Sequence, residues 1–235
     1  MIGNKHYVVE ETSRRQQADG TVPSVLRIAV LVSGNGSNLQ ALIDAIESKE
    51  LTGVEIAVVI SNRADAYGLQ RALKHQCPTI YIPWTRKAQQ TEAEEKIQQI
   101  LHLFEVDLIV LVGWLRIFSP NFITQFPQCI INLHPALLPD NGGESYVTRN
   151  GTVIPALRGI HVVRQAIESN LPITGSTVHY VTPEVDAGPV IARVEIAVMP
   201  DDTEETLHER IKEQEHHLIV EAVRGYVKQV GLLVP

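Results

Sequence analysis

Two cysteines, Cys77 and Cys129, are all that the 235 residues contain. They lie in different segments, which excludes a disulfide framework and a cysteine-based zinc site, and both are expected to stay reduced. No apolar run reaches the length of a membrane span. The longest, LIVLVGWL at 108–115, has the length of one buried strand. The opening MIGNKHYVVEETSRRQQADG lacks the apolar stretch of a secretory signal. It reads as part of a polar extension over 1–24, expected to be mobile. Positive charge is not in excess either. Lys and Arg number 20 against 27 Asp and Glu, a formal charge of −7, which argues against a protein that coats nucleic acid or an anionic membrane. These absences describe a cytoplasmic protein acting on small molecules, as a monomer or a homodimer. Anionic ligands stay within reach, because backbone donors and a few basic groups bind them even in an acidic protein.

What is present is a core: 44% of the residues are hydrophobic, enough for one large domain, read over 25–235. Strand-like runs fall at 27–33, 54–61, 79–83, 107–113 and 128–134, with helical patterns between them at 38–49, 66–76, 88–104 and 118–126. Four of the strands are near-continuous Val/Ile/Leu runs, as expected when helices cover both faces of a sheet. The alternation predicts an α/β, doubly wound, mostly parallel sheet. After His134 the alternation fails. Asn150-Gly151 between YVT and TVI signals an inserted hairpin near 140–158. A helix follows at 161–169, then a β-hairpin over 174–198 with its loop at 182–189. A long closing helix runs over 203–230, capped by Thr203 and ended by Gly231.

The stretch AVLVSGNGSNLQALIDAI at 29–46 passes from strand through a glycine turn into a helix. In a parallel sheet this first corner is the favoured phosphate position. Leu39 replaces the third glycine of the dinucleotide fingerprint, and the P-loop lysine is absent. The backbone N–H groups of Gly36, Ser37 and Asn38 would face an anion. Alternatively, this is an ordinary tight turn with Ser37 or Asn38 as helix cap. Asn132 and His134, two residues apart at the end of a strand, leave one face together. Pro135 and Pro139 stiffen the chain after them, with Leu138–Pro139 a candidate cis bond. Asp186 sits on the loop between the last two strands, where aspartate is also a common turn residue.

Taken in order, SGNGSNL (33–39), NLHPALLP (132–139) and TGSTVHYVTPEVDAGPVI (174–191) resemble the formyltransferases that use 10-formyltetrahydrofolate. The resemblance runs from about Arg27 to Tyr226. HPALLP and the Asp186 loop mark the wider family, and GNGSNL marks the branch whose substrate, glycinamide ribonucleotide, carries a 5′-phosphate. The resemblance implies formyl transfer from the folate to the nucleotide's amine, with neither a metal nor a covalent nucleophile. It makes Asn132, His134 and Asp186 the catalytic groups. Asn132 and a protonated His134 would donate to the formyl oxygen, and Asp186 would favour the charged imidazole. Gly36, Ser37 and Asn38 would bind the phosphate, and Glu215 the ribose hydroxyls. The segment Leu115, Arg116, Ile117 and Phe118, with Asn132 and Arg86, would line the folate site. His179 would stand behind the catalytic groups or be a satisfied strand histidine. His216, His217 and Glu221 suggest a metal at helical spacing, but such pairs on an amphipathic helix more often face solvent or pack.

This sequence departs from the family between Asp140 and Ile160, where roughly fifteen residues are added before the RGIH turn at 158–161. The added hairpin would cover the cleft, meet a partner, or hang in solvent. Three other readings compete. A methionyl-tRNA formyltransferase is expected to carry a further C-terminal domain and a basic surface, and a formyltetrahydrofolate hydrolase an N-terminal regulatory domain. A binding module that keeps the fold without catalysis is the third. The trio Asn132, His134 and Asp186 speaks for an enzyme.

Overall fold

The computed structural model describes residues 25–140 and 142–231; the polar extension expected over 1–24 lies outside them. The chain runs β1 (Leu26–Val32), α1 (Ser37–Glu47), β2 (Val54–Ser61), α2 (Tyr67–Lys74), β3 (Thr79–Tyr81), one 3₁₀ turn (Lys87–Gln89), α3 (Gln90–Leu103), β4 (Leu108–Val112), α4 (Pro120–Thr124) and β5 (Ile130–His134). There follow β6 (Ser145–Val147), β7 (Val153–Pro155), α5 (Val162–Glu168), β8 (Ile173–Tyr180), β9 (Val190–Ala197) and α6 (Glu204–Gln229). Seven strands form one sheet in the order β3-β2-β1-β4-β5-β8-β9. The first five are parallel; β8 and β9 are added antiparallel. This is the doubly wound arrangement expected, with the closing hairpin and long helix in place.

Strand alternation sorts the core into two layers. Ile28, Val30 and Val32 of β1 pack with Leu39 and Leu42 of α1 and Ile219, Val223 and Val227 of α6. Ala29 and Leu31 point the other way, toward Ile97 and Leu101 of α3 and Phe122 of α4. Both faces are therefore dry, which is why the strands carry unbroken aliphatic runs. Trp84, Trp114, Phe118 and Phe122 make a ladder of ring contacts on the α3–α4 side.

Three local expectations need correction. The cap of α1 is Gly36, at φ 73°, and no side chain caps it; Ser37 and Asn38 lie inside the first turn. Leu138–Pro139 is trans, and the described residues contain no cis bond. The inserted hairpin exists, but its turn is longer than the two-residue form that Asn-Gly usually makes. Gly151 N–H donates to the Thr148 carbonyl, and Thr148 N–H to the Thr152 carbonyl. Gly151 alone has positive φ (86°), so Arg149 and Asn150 form the turn and Gly151 the bulge after it. The hairpin does not hang in solvent. Tyr146 Oη donates to Glu195 Oε1 at 3.0 Å and Arg149 N–H to the same oxygen at 2.8 Å, while Arg193 lies over the Tyr146 ring.

The chain after β4 is tied back to β1 by one hydroxyl. Ser33, 1% exposed, donates from Oγ to Asn62 Oδ1 at 2.6 Å and accepts from Leu115 N–H at 2.9 Å. Ser33→Ala leaves the buried Asn62 Oδ1 without its donor and the part-buried Leu115 N–H without its acceptor. It is expected to cost about 1–3 kcal/mol, measured by urea unfolding.

Candidate active site

Strand order places the site. The chain leaves β1 toward β2 on one side and returns to β4 on the other, so the crossover segments part at the carboxyl ends of β1 and β4 and leave a crevice. A cavity of about 280 Å³ opens there, walled by Gly34–Asn38, Gly113, Leu133, Pro135 and three α6 residues: His208, Lys212 and Glu215. Gly36 cannot carry a side chain, since a Cβ would stand 2.7 Å from Gly68 Cα. With no side chain capping α1, its first N–H groups face the cavity as free donors, where the helix dipole favours an anion. Glu215 is buried, not a surface carboxylate. Its Oε2 accepts from Asn38 Nδ2 at 2.9 Å, and Ser176 Oγ lies 2.9 Å from its Oε1. Because Asn38 Nδ2 serves the carboxylate, its Oδ1 is left buried without a partner. The lining thus combines the α1 N–H groups and the Lys212 ammonium, which is paired with Glu209, with the Glu215 carboxylate.

The expected trio converges beside this cavity. β5 pairs with β8 so that Asn132 faces His179 and His134 faces Thr177. Thr177 Oγ1 donates to the Ala136 carbonyl at 2.8 Å and accepts from Leu138 N–H at 3.1 Å, holding the strand exit in place. His179 is 2% exposed and sits at the centre. Its Nδ1 donates to the Tyr180 carbonyl at 2.9 Å, so in the neutral ring Nε2 is an acceptor, and Asn132 Nδ2 stands 3.2 Å from it. This orients the Asn132 amide and leaves one of its N–H bonds free. Asp186, in the left-handed region at φ 51°, places Oδ1 3.6 Å from His179 Nε2 and Oδ2 3.6 Å from His134 Nδ1. His134 Nε2 donates to the Leu157 carbonyl at 2.8 Å, and Gly159 N–H donates to Asp186 Oδ2 at 3.0 Å.

Burial and charge oppose each other in this cluster. Burial pushes the Asp186 carboxyl up, but the His179 ring, the charge that His134 carries when protonated and the Gly159 amide outweigh it and hold it at about 2. For His134 the balance goes the other way. Burial lowers its pKa despite the pull of Asp186 and the Leu157 carbonyl. The Asp186 carboxylate beside the ring favours its charged form, against the burial that disfavours it.

The folate segment is only partly in place as side chains. Leu115 and Ile117 are exposed, while Phe118 is locked in the aromatic ladder, so Phe118 offers only its backbone. Arg116 lines a second cavity, of about 420 Å³, with Arg63 and Tyr81. Arg86 is exposed at the start of the 3₁₀ turn and walls neither cavity. Sequence reading missed His208 and Lys212. The signal was their spacing with Glu215, four and then three residues along one helix face. It also missed Leu157 and Gly159, which act through backbone atoms and leave no side-chain signature. Among the described residues no cluster of His, Cys, Asp or Glu has the arrangement of a metal site, and no helix is long and apolar enough to cross a membrane.

The family model described as formyl transferase matches residues 26–223. The phosphoribosylglycinamide formyltransferase of Haemophilus influenzae is 35% identical over 202 residues, covering 86% of this chain and 87% of that one. The enzyme of that name from Escherichia coli is 35% identical over 191 residues, 81% of this chain and 82% of its own. In structure, glycinamide ribonucleotide transformylase 1 from Symbiobacterium toebii superposes with a TM-score of 0.76 at 35% identity, covering 88% of this chain and 89% of that one.

The depressed Asp186 and His134 values set the acid limb of stability. The unfolded chain binds both protons more readily than the folded one. Their contribution is therefore complete above the ordinary values, about 4 and 6.5, and is lost as pH falls through the folded ones. Between pH 5 and 3, Asp186→Asn is expected to lose about 1 kcal/mol less than wild type, read from urea midpoints. Parallel limbs would refute the assignment for Asp186.

Proposed function

The chain belongs to the formyl transferase family, and from that premise we propose that it moves the formyl group of 10-formyltetrahydrofolate onto the primary amine of glycinamide ribonucleotide, a step of purine biosynthesis in the cytoplasm. The observation that carries this reading is the two-ended cavity beside the trio. Free α1 N–H groups and Lys212 suit a phosphate, and Glu215 with the orphaned Asn38 Oδ1 suits ribose hydroxyls. Leu133 and Pro135, on either side of His134, wall the same cavity. A nucleotide held there would therefore present its amine to the trio. A formyltetrahydrofolate hydrolase has no use for such a second site, and this favours transfer to an amine.

The amine attacks the formyl carbon, and the carbonyl electron pair moves to oxygen. The tetrahedral intermediate then expels the folate nitrogen, which gains a proton as the amine loses one. The free N–H of Asn132 donates to the developing oxyanion. His134 takes up the proton that the amine releases, Asp186 stabilises the imidazolium so formed, and the ring then gives that proton to the departing folate nitrogen. Asp186 also holds water for the proton's passage between the two nitrogens. His179 keeps Asn132 and Asp186 in register. Leu115 to Phe118 provide backbone and apolar surface for a flat heterocycle. These steps call for no metal ion.

Purified protein is expected to formylate glycinamide ribonucleotide with 10-formyltetrahydrofolate, undiminished by EDTA. His134→Ala, Asn132→Ala and Asp186→Asn should each lower kcat by about 10²–10³; a wild type without transfer would refute the reading. Lys212→Ala and Glu215→Gln should raise KM for the nucleotide about tenfold and leave that for the folate unchanged. Equal effects on both KM values would remove the assignment of the cavity.

A further inference from the structure

The trio is held from a segment that the family resemblance does not assign to the reaction. Residues 157–159, which follow the inserted hairpin, touch two catalytic side chains by backbone atoms alone. The Leu157 carbonyl accepts from His134 Nε2 at 2.8 Å, and Gly159 N–H donates to Asp186 Oδ2 at 3.0 Å. Between them stands Arg158. Its Nε donates to the Asp186 carbonyl at 3.2 Å, and its Nη2 to the carbonyls of Gly142 and Gly143 at 2.9 and 2.7 Å. The guanidinium thus joins three pieces of chain: the start of the insertion, its end, and the loop that carries Asp186.

The three carbonyls are spread over two loops, and a planar fork of donors suits such a set where a single ammonium does not. Besides Arg158, the Asp186 carboxylate reaches Gly159 N–H from the loop, but it does not bind the start of the insertion. Asp186 also sits at φ 51°, a conformation that persists only where the surroundings hold it.

We infer that Arg158 is a positioning residue for formyl transfer, clasping the end of the insertion to the Asp186 loop so that the Leu157 carbonyl and the Gly159 amide meet His134 and Asp186. This rests on the reading of the chain as a formyltransferase. Without the clasp, His134 loses an acceptor and Asp186 a donor, while the nucleotide cavity at Gly36 and Lys212 is untouched. The charged or titratable groups around His134 are Asp186, His179 and Glu215, with the Arg158 guanidinium on the Asp186 backbone; losing that cation alone would move the His134 midpoint to higher pH, so a displacement to lower pH reports the clasp.

The test compares wild type, Arg158→Met and Arg158→Lys for kcat, KM of both substrates, melting temperature and the NMR titration of the His134 ring. Arg158→Met should lower kcat about tenfold or more and hold both KM values within about twofold, with Lys recovering part of the rate. The His134 midpoint should move to lower pH in Arg158→Met, since the Leu157 carbonyl no longer favours the proton. A kcat within about twofold of wild type would overturn the inference. So would a lower kcat accompanied by a lower melting temperature and an unchanged His134 titration, which is the pattern of a merely structural arginine. If Arg158→Met does not fold, Arg158→Lys takes its place: a loss of rate with a displaced His134 midpoint supports the clasp, and wild-type values for both refute it. Absence of transfer by wild type would instead refute the parent reading, and the inference with it.

Discussion

The site depends on a crevice that strand order makes unavoidable. The chain departs from β1 on one side and comes back to β4 on the other, so no crossover can cover the carboxyl ends of these two neighbours. The same edge receives the exit of β5, because β4 and β5 are paired in parallel. Asn132 and His134 therefore arrive beside the glycine turn without any long-range recognition between the two segments. The antiparallel addition of β8 supplies what a purely parallel sheet would lack. It places His179 directly opposite Asn132 and sends the following loop, with Asp186, back over the crevice. Dry packing on both faces makes this framework stiff, and stiffness is what lets four polar groups hold their relative positions.

Within the crevice, function is divided by hydrogen-bond polarity. Its lining carries the α1 N–H groups and Lys212 as donors and Glu215 as an acceptor. In the proposed reading these two polarities suit a phosphate monoester, which accepts, and a ribose diol, which donates. The catalytic cluster is arranged on another basis, the conflict between burial and charge. A carboxylate with two imidazoles and an amide around it stays ionised despite burial, and beside it burial lowers the His134 pKa while the carboxylate raises it. Preorganisation here means that the anion is already in place before the reaction needs it.

Much of this was legible in the sequence, and what escaped did so for physical reasons. Aliphatic runs revealed the parallel strands because both of their faces are buried, and Thr203 and Gly231 marked the ends of α6 by chemistry that helix termini require. Asn132, His134 and Asp186 were found through family motifs, since no periodicity links positions this far apart. Burial is a tertiary property, so its lowering of the His134 pKa was not visible from a nearby aspartate alone. The cap of α1 was misread because Ser37 and Asn38 are good capping residues, while a ligand site is better served by Gly36, which leaves the donors free. Lys212 and His208 were passed over although they share a helix face with Glu215. The face of a helix that looks into a ligand cavity is as polar as one that looks into solvent, so pattern alone does not separate them.

The inserted hairpin shows why a catalytic site tolerates an added segment at its edge. Its contacts with His134 and Asp186 come from a carbonyl and an amide, groups that every residue other than proline provides in full. The side chains between Asp140 and Pro155 are thus largely released from the chemistry and answer to the hairpin's own anchorage on Glu195 and Arg193 of β9. What the site requires of the segment is that its end return to one place. A loop can lengthen at small entropic cost, growing only with the logarithm of its length, provided that its return point is defended. Arg158 stands at that point and binds both the departure of the insertion, at Gly142 and Gly143, and the loop that carries the carboxylate. The length of the insertion and the precision of the site are thereby uncoupled.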